Sequence, residues 1–131
     1  MEKNKSYEHE IEELVKRAEE LVKSDSSAEQ CVVVRTQKEN QYYLFNHHMI
    51  SGSMEEEDVF LKTLAENQDT EIRCAVCVWK DLTIDMMSHH LLKSLIELNP
   101  ANKETIVILR TVGGLQTKPL RSCMPPNRNV L

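Results

Sequence analysis

The chain has 131 residues, 40% of them hydrophobic, 28% charged and 5% aromatic, which leaves room for one compact domain with its own core. Three Gly and four Pro exclude collagen-like and linker-like classes, and the apolar content excludes wholesale disorder. The net charge of -5 divides unevenly, residues 1–70 holding 8 Lys+Arg against 16 Asp+Glu and residues 71–131 holding 8 against 5.

Ile11, Leu14, Val15, Ala18, Leu21 and Val22 recur on one stripe and predict an amphipathic helix from Ser6 to about Ser24. Glu12 with Lys16, Glu13 with Arg17 and Glu19 with Lys23 support it on the solvent side. The charged first twenty residues hold no apolar run for secretion, and no later stretch reaches the ~18 apolar residues of a spanning helix. The expectation is a soluble, intracellular protein, cytoplasmic or nuclear, with no membrane partner.

Gln30 to Thr36 (QCVVVRT) and Gln41 to Ile50 (QYYLFNHHMI) predict an antiparallel hairpin with a polar turn. Ser51-Gly52-Ser53 ends the second strand. Ser53 with Glu56 reads as a capping box for a helix to about Asn67, with Val59, Phe60 and Leu64 inward. Glu71 to Trp79 (EIRCAVCVW) is apolar on both faces, as in a covered central strand. Asp85 is the expected cap of a third helix, in which Met87, Leu91, Leu95 and Leu98 recur until Pro100 stops it. Thr105 to Val112 is a second doubly apolar strand, ended by Gly113-Gly114. Leu115 to Leu120 reads as a short edge strand weakened by Pro119.

The order α-β-β-α-β-α-β predicts a single α/β domain over residues 1–120, with a flexible C-terminal tail over 121–131. Strand-helix-strand steps are right-handed parallel crossovers, which gives a mixed, mainly parallel four-stranded sheet with helices on both faces. Such a sheet is roughly 19 Å wide and one helix covers ~10–12 Å, so the N-terminal helix leaves part of its face open. Either the outer face of the hairpin is polar enough to meet water, as Asn46 and the neighbouring histidines allow, or apolar surface there belongs to a partner, and this is the argument for a protein partner or self-association.

Cys31, Cys74, Cys77 and Cys123 are expected as free thiols in a reducing compartment. In a strand, Cys74 and Cys77 point to opposite faces, so the CAVC spacing gives no shared metal; neither metal nor cofactor is expected. Adjacent His47-His48 and His89-His90 likewise face different ways. Gly113-Gly114 near Lys118 lacks the spacing of a phosphate loop, and no nucleophile elbow, H-E-x-x-H or dinucleotide fingerprint is present.

Ligands of parallel sheets gather at the carboxyl ends of strands. On this topology that edge collects His47, His48 and Ser53 after one strand, Lys80 and Asp85 after the next, and Arg110 after the last. A base, cations, hydroxyls and helix N-termini would converge on a phosphate ester or other anion, although Glu55 to Asp58 at a helix start oppose one. The function expected from sequence is an interaction protein, an adaptor or assembly subunit. The alternative is a small enzyme or anion-ligand binder using this strand-end edge. Nucleic acid is not an expected partner, given the acidic total and the few aromatic residues for stacking.

Overall fold

The computed structural model describes residues 2–47 and 53–124, with side chains from 8 to 47 and from 55 to 124. Helix α1 (Glu2–Ser24) leads to β1 (Gln30–Thr36), β2 (Gln41–Asn46), α2 (Ser53–Glu66), β3 (Ile72–Trp79) and a two-residue β4 (Ile84–Asp85). Then come α3 (His89–Leu98), β5 (Ile106–Thr111) and β6 (Gly114–Pro119), with 3₁₀ turns at Pro100–Glu104 and Leu120–Cys123. His48, Ser51 and the tail beyond Met124 lie outside the described residues. Among the described residues no helix is long and apolar enough to cross a membrane.

The mixed α/β class with helices on both faces is the expected one; the sheet differs in strand number and in pairing. It has six strands, ordered β2-β1-β3-β5-β6 with β4 pairing beside β3. β2, β3 and β5 run in one direction, as the crossover argument requires. However, β1 lies between β2 and β3, antiparallel to both, and among the described strands only β3 and β5 pair in parallel. A hairpin can offer either strand to the next element, and the more continuously apolar one goes inside. Gln30 to Val34 are buried without a break, whereas β2 exposes Gln41 and Tyr43.

The two faces bury separate layers, because side chains along β1 and β3 alternate. Phe60, Leu64, Leu91 and Leu95 of α2 and α3 cover Val32 and Cys77 on one face. On the other, Ile11, Leu14, Ala18 and Val22 of α1 cover Val33 and Val76. As the width argument requires, α1 rests on β1 and β3, and Tyr43 on the β2 flank stays 52% exposed.

Two local expectations give way. Asp85 does not cap α3; it pairs with Cys77 in β4, and the cap is Ser88, whose Oγ accepts the Leu91 N–H at 3.0 Å. Val59 is 66% exposed, and the inward stripe of α2 is Glu57, Phe60 and Leu64, one helical step earlier. Glu56 accepts the His47 backbone N–H at 3.1 Å, and the side chain of its expected capping-box partner Ser53 lies outside the described residues.

Candidate functional site at the carboxyl end of the sheet

Gln30 stands opposite Asn46 on one side and Trp79 on the other. Opposed residues of an antiparallel ladder share a face, and the next residues in these columns, Val32, Leu44 and Cys77, lie beneath α2 and α3. Asn46, Gln30 and Trp79 therefore form a polar row across three strands where those helices begin. Asn46 is fully buried and its Nδ2 donates to Gln30 Oε1 at 2.6 Å.

Glu57 enters from the first turns of α2 and is 1% exposed. Ser88 at the start of α3 donates to its Oε2 at 2.7 Å, while burial pushes the carboxyl above its ordinary range. Asn46 Oδ1, Glu57 Oε1 and Trp79 Nε1 are buried and have no hydrogen-bond partner among the described residues. The other such atoms, Arg35 Nε and Arg73 Nε, belong to guanidinium groups ion-paired with Glu10 of α1. An unmatched buried polar atom costs about 1–3 kcal/mol, so three of them at one end of one face call for more than a packing explanation.

Beside this row opens a cleft of about 450 Å³ lined by Glu29, Trp79, Lys80, Asp81, Thr83 and Asp85. Asp81 Oδ1 accepts from the Thr83 hydroxyl at 2.7 Å and from its backbone N–H at 3.1 Å, which keeps the carboxyl below the usual range. Lys80 donates through Nζ to Ser26 O and through its backbone N–H to Glu29 O, tying the end of β3 to the turn before β1. On the β2 side, His47 Nε2 lies 2.8 Å from Asp25 Oδ2 and Nδ1 lies 3.3 Å from Glu56 Oε1. The Asp25 bond is the main reason the imidazole pKa is raised, and it brings Asp25 down to about 2. His90 Nε2 reaches Asp58 Oδ1 at 3.1 Å across the starts of the two helices.

Of the residues expected from sequence, Lys80 and Asp85 meet in the cleft, and His47 is taken up by Asp25 and Glu56. His48 and the Ser53 side chain lie outside those described. Arg110 sits exposed opposite Leu115, past the β3–β5 ladder, and does not line the cleft. Sequence reasoning missed Asn46, Trp79 and Glu57. The signal for Glu57 was its helical phase with Phe60 and Leu64, hidden in a run of four acids.

No family model and no curated protein matches the chain. Among solved structures it is similar to the cytidine deaminase of Mycobacterium leprae, with 17% identity and a TM-score of 0.64 over 88% of this chain and 97% of that one. The Burkholderia pseudomallei cytidine deaminase matches at 13% identity and TM-score 0.64 over 87% and 95% of the two chains. That of Bacillus anthracis matches at 11% and 0.65 over 91% and 89%. These likenesses concern the fold, and the adaptor expectation finds no support in them.

The likeness also corrects the expectation that no metal belongs here, because zinc deaminases activate water on a metal held by His and Cys. Among the described residues, however, no group of three or more His, Cys, Asp or Glu side chains is placed to hold a metal ion. The cysteines are free thiols on strands and in the last turn. Burial pushes Cys31 and Cys74 up to about 12 and raises Cys77 as well, which opposes the thiolate a zinc ligand needs. The described donors do not fit a tetrahedral zinc site. The chain thus has the fold of the cytidine deaminases, with a buried, partly unpaired polar cluster where α2 and α3 begin.

Proposed function

We propose that the chain is a small enzyme that binds a flat, nitrogen-bearing ring at the carboxyl end of its sheet and uses Glu57 to move a proton in a hydrolytic deamination. The supporting observation is the gathering of Asn46 Oδ1, Glu57 Oε1 and Trp79 Nε1, two oxygens and an N–H donor buried without partners. Such a set suits the alternating donors and acceptors on the edge of a base. A carboxyl lifted by burial is better suited than an ordinary one both to taking and to giving a proton. In the reaction, water adds to the ring carbon that bears the amino group and ammonia leaves; Glu57 takes the water proton and delivers it to the departing nitrogen. Cytidine, named for the similar structures, is the first substrate to try. Free thiols suit a reducing, cytoplasmic setting.

Ammonia release from cytidine, cytosine, adenosine and guanine tests the reading with wild type and Glu57→Gln, which keeps an oxygen for the Ser88 hydroxyl. The expected result is turnover of at least one base, reduced about 10²–10⁴-fold by the substitution with no fall in thermal midpoint. No ammonia from any of the four, or equal rates in the two proteins, overturns it.

A further inference from the structure

The three unmatched atoms of the polar cluster are not alike. Trp79 Nε1 can only donate, and the Glu57 carboxyl takes either role as it loses or gains a proton. Asn46 alone has its role set by orientation, because a carboxamide ends in an oxygen and an NH₂ that exchange places in a half turn. Gln30 decides that orientation. Its Oε1 accepts from Asn46 Nδ2 at 2.6 Å, with Gln30 2% exposed and Asn46 fully buried. Turning Asn46 over would set its oxygen against Gln30 Oε1, two acceptors in contact inside the fold. The backbone beneath is pinned as well: the Glu29 N–H donates to Asn46 O at 2.9 Å and the Glu29 carbonyl accepts the Lys80 N–H at 2.9 Å, so the residue before Gln30 ties the ends of β2 and β3 to β1. With Nδ2 turned to Gln30, Oδ1 is the Asn46 atom left unmatched.

Building on the proposed function, we infer that Gln30 is a positioning residue that holds the Asn46 carbonyl toward the ligand, so that the site takes an amino-bearing ring and turns away its keto product. An exocyclic amino group donates a hydrogen bond to that oxygen. Deamination replaces the group by a carbonyl, and acceptor then faces acceptor in a buried site. The contact that seats the substrate thus opposes the product, and Gln30 makes the choice through Asn46.

Calorimetric titration with cytosine against uracil, and with adenine against hypoxanthine, measures that choice. Every protein compared carries Glu57→Gln, which spares the amino base and affects all of them alike. In at least one pair the amino base is expected to bind more tightly than its keto partner by about tenfold or more. Adding Gln30→Met, close in size but without an acceptor, frees Asn46 to turn, and the affinity ratio is expected to fall to about one. Gln30→Glu keeps an oxygen for Asn46 Nδ2 and is expected to keep the preference. A Gln30 that served the fold alone would, on change to Met, lower the thermal midpoint and weaken both partners equally, leaving the ratio as it was. If Gln30→Met does not fold, Gln30→Thr, a strand former too short to reach Asn46, takes its place. Equal affinities with Gln30 present, a ratio untouched by its removal, a preference lost in folded Gln30→Glu, or no binding of any of the four bases overturns the inference. Ammonia release by the wild type without an amino preference removes this inference alone. An amino preference that depends on Gln30, with no ammonia from any base, removes the deamination alone.

Discussion

His47 and Glu57 sit close in the chain and respond to pH for opposite physical reasons. His47 gains partners on both ring nitrogens, Asp25 first and Glu56 second, and its pKa rises above 6.5 in the fold. A base with a raised folded pKa contributes stability that is full below the unfolded value and disappears as pH rises through the folded one. Asp25 contributes the complementary acid edge: its stabilisation is full above 3.8 and fades as pH falls toward about 2. Thermal midpoints measured from about pH 5 to about pH 8 are expected to fall with rising pH, and His47→Asn is expected to flatten that fall. An identical slope in the variant would show that the histidine makes no net contribution. Glu57 loses solvent, and its carboxyl is raised from 4.5 chiefly for that reason. Its protonated form is the one the fold favours, so stability present below pH 4.5 is lost as pH climbs through the raised value. Glu57→Gln removes that loss, and its midpoint near neutral pH is expected to equal or exceed that of wild type. A residue kept only to stabilise the fold would give the reverse.

At the scale of elements, short polar joints close both ends of the sheet, Asn102 at the end opposite the site and Ser88 at the site itself. Asn102, fully buried in the 3₁₀ turn after α3, donates to Leu95 O at 2.8 Å and to Thr70 O at 2.9 Å and accepts the Ile72 N–H at 2.8 Å. It closes the end of α3 and fixes the start of β3 with one side chain. Asn102→Ala leaves buried backbone groups unmatched and is expected to destabilise by about 3 kcal/mol in urea unfolding. Ser88→Ala is expected to lose about 1 kcal/mol as a helix cap, with a further loss because Glu57 Oε2 is left alone. The regular elements were legible in the sequence because apolar period decides them: Ile11 through Val22 for α1, CVVV for β1, CAVCV for β3. The joints were not. Asp85 and Ser88 are both good caps, and only the pairing of Ile84 and Asp85 with Val78 and Cys77 decides between them. The same holds for the site. That Lys80 and Asp85 stand at the cleft follows from position after a strand, whereas Trp79 reads as the end of an apolar strand and Asn46 as a water-facing polar residue of the hairpin until Gln30 aligns them across three strands and Asn46 proves fully buried.

Over the whole molecule, the sheet is wider than the helix laid on its second face, and stability should be distributed accordingly. α1 has contact with β1 and β3, both interior strands of the order, and Leu14 is fully buried there. On the flank, Tyr43 of β2 points to the same side but is half exposed and meets the edge of Phe45 at a ring-centroid distance of 5.4 Å. Removing Leu14 opens a cavity between two elements that cannot close without shifting a 23-residue helix, so the surrounding layer can relax only in part. Leu14→Ala is therefore expected to cost about 2–5 kcal/mol. Tyr43→Ser removes an exposed ring with one aromatic neighbour, and about 1 kcal/mol or less is expected. Both are read from denaturant midpoints at constant slope, because a changed slope would mean that α1 unfolds separately from the sheet. Equal losses in the two variants would show that the flank is covered as fully as the centre, against the width argument. If Leu14→Ala alone is costly, the centre of the sheet holds the fold. The polar row at its carboxyl end is then placed by strands anchored beneath α1, rather than by the edge strand or the loops that surround the cleft.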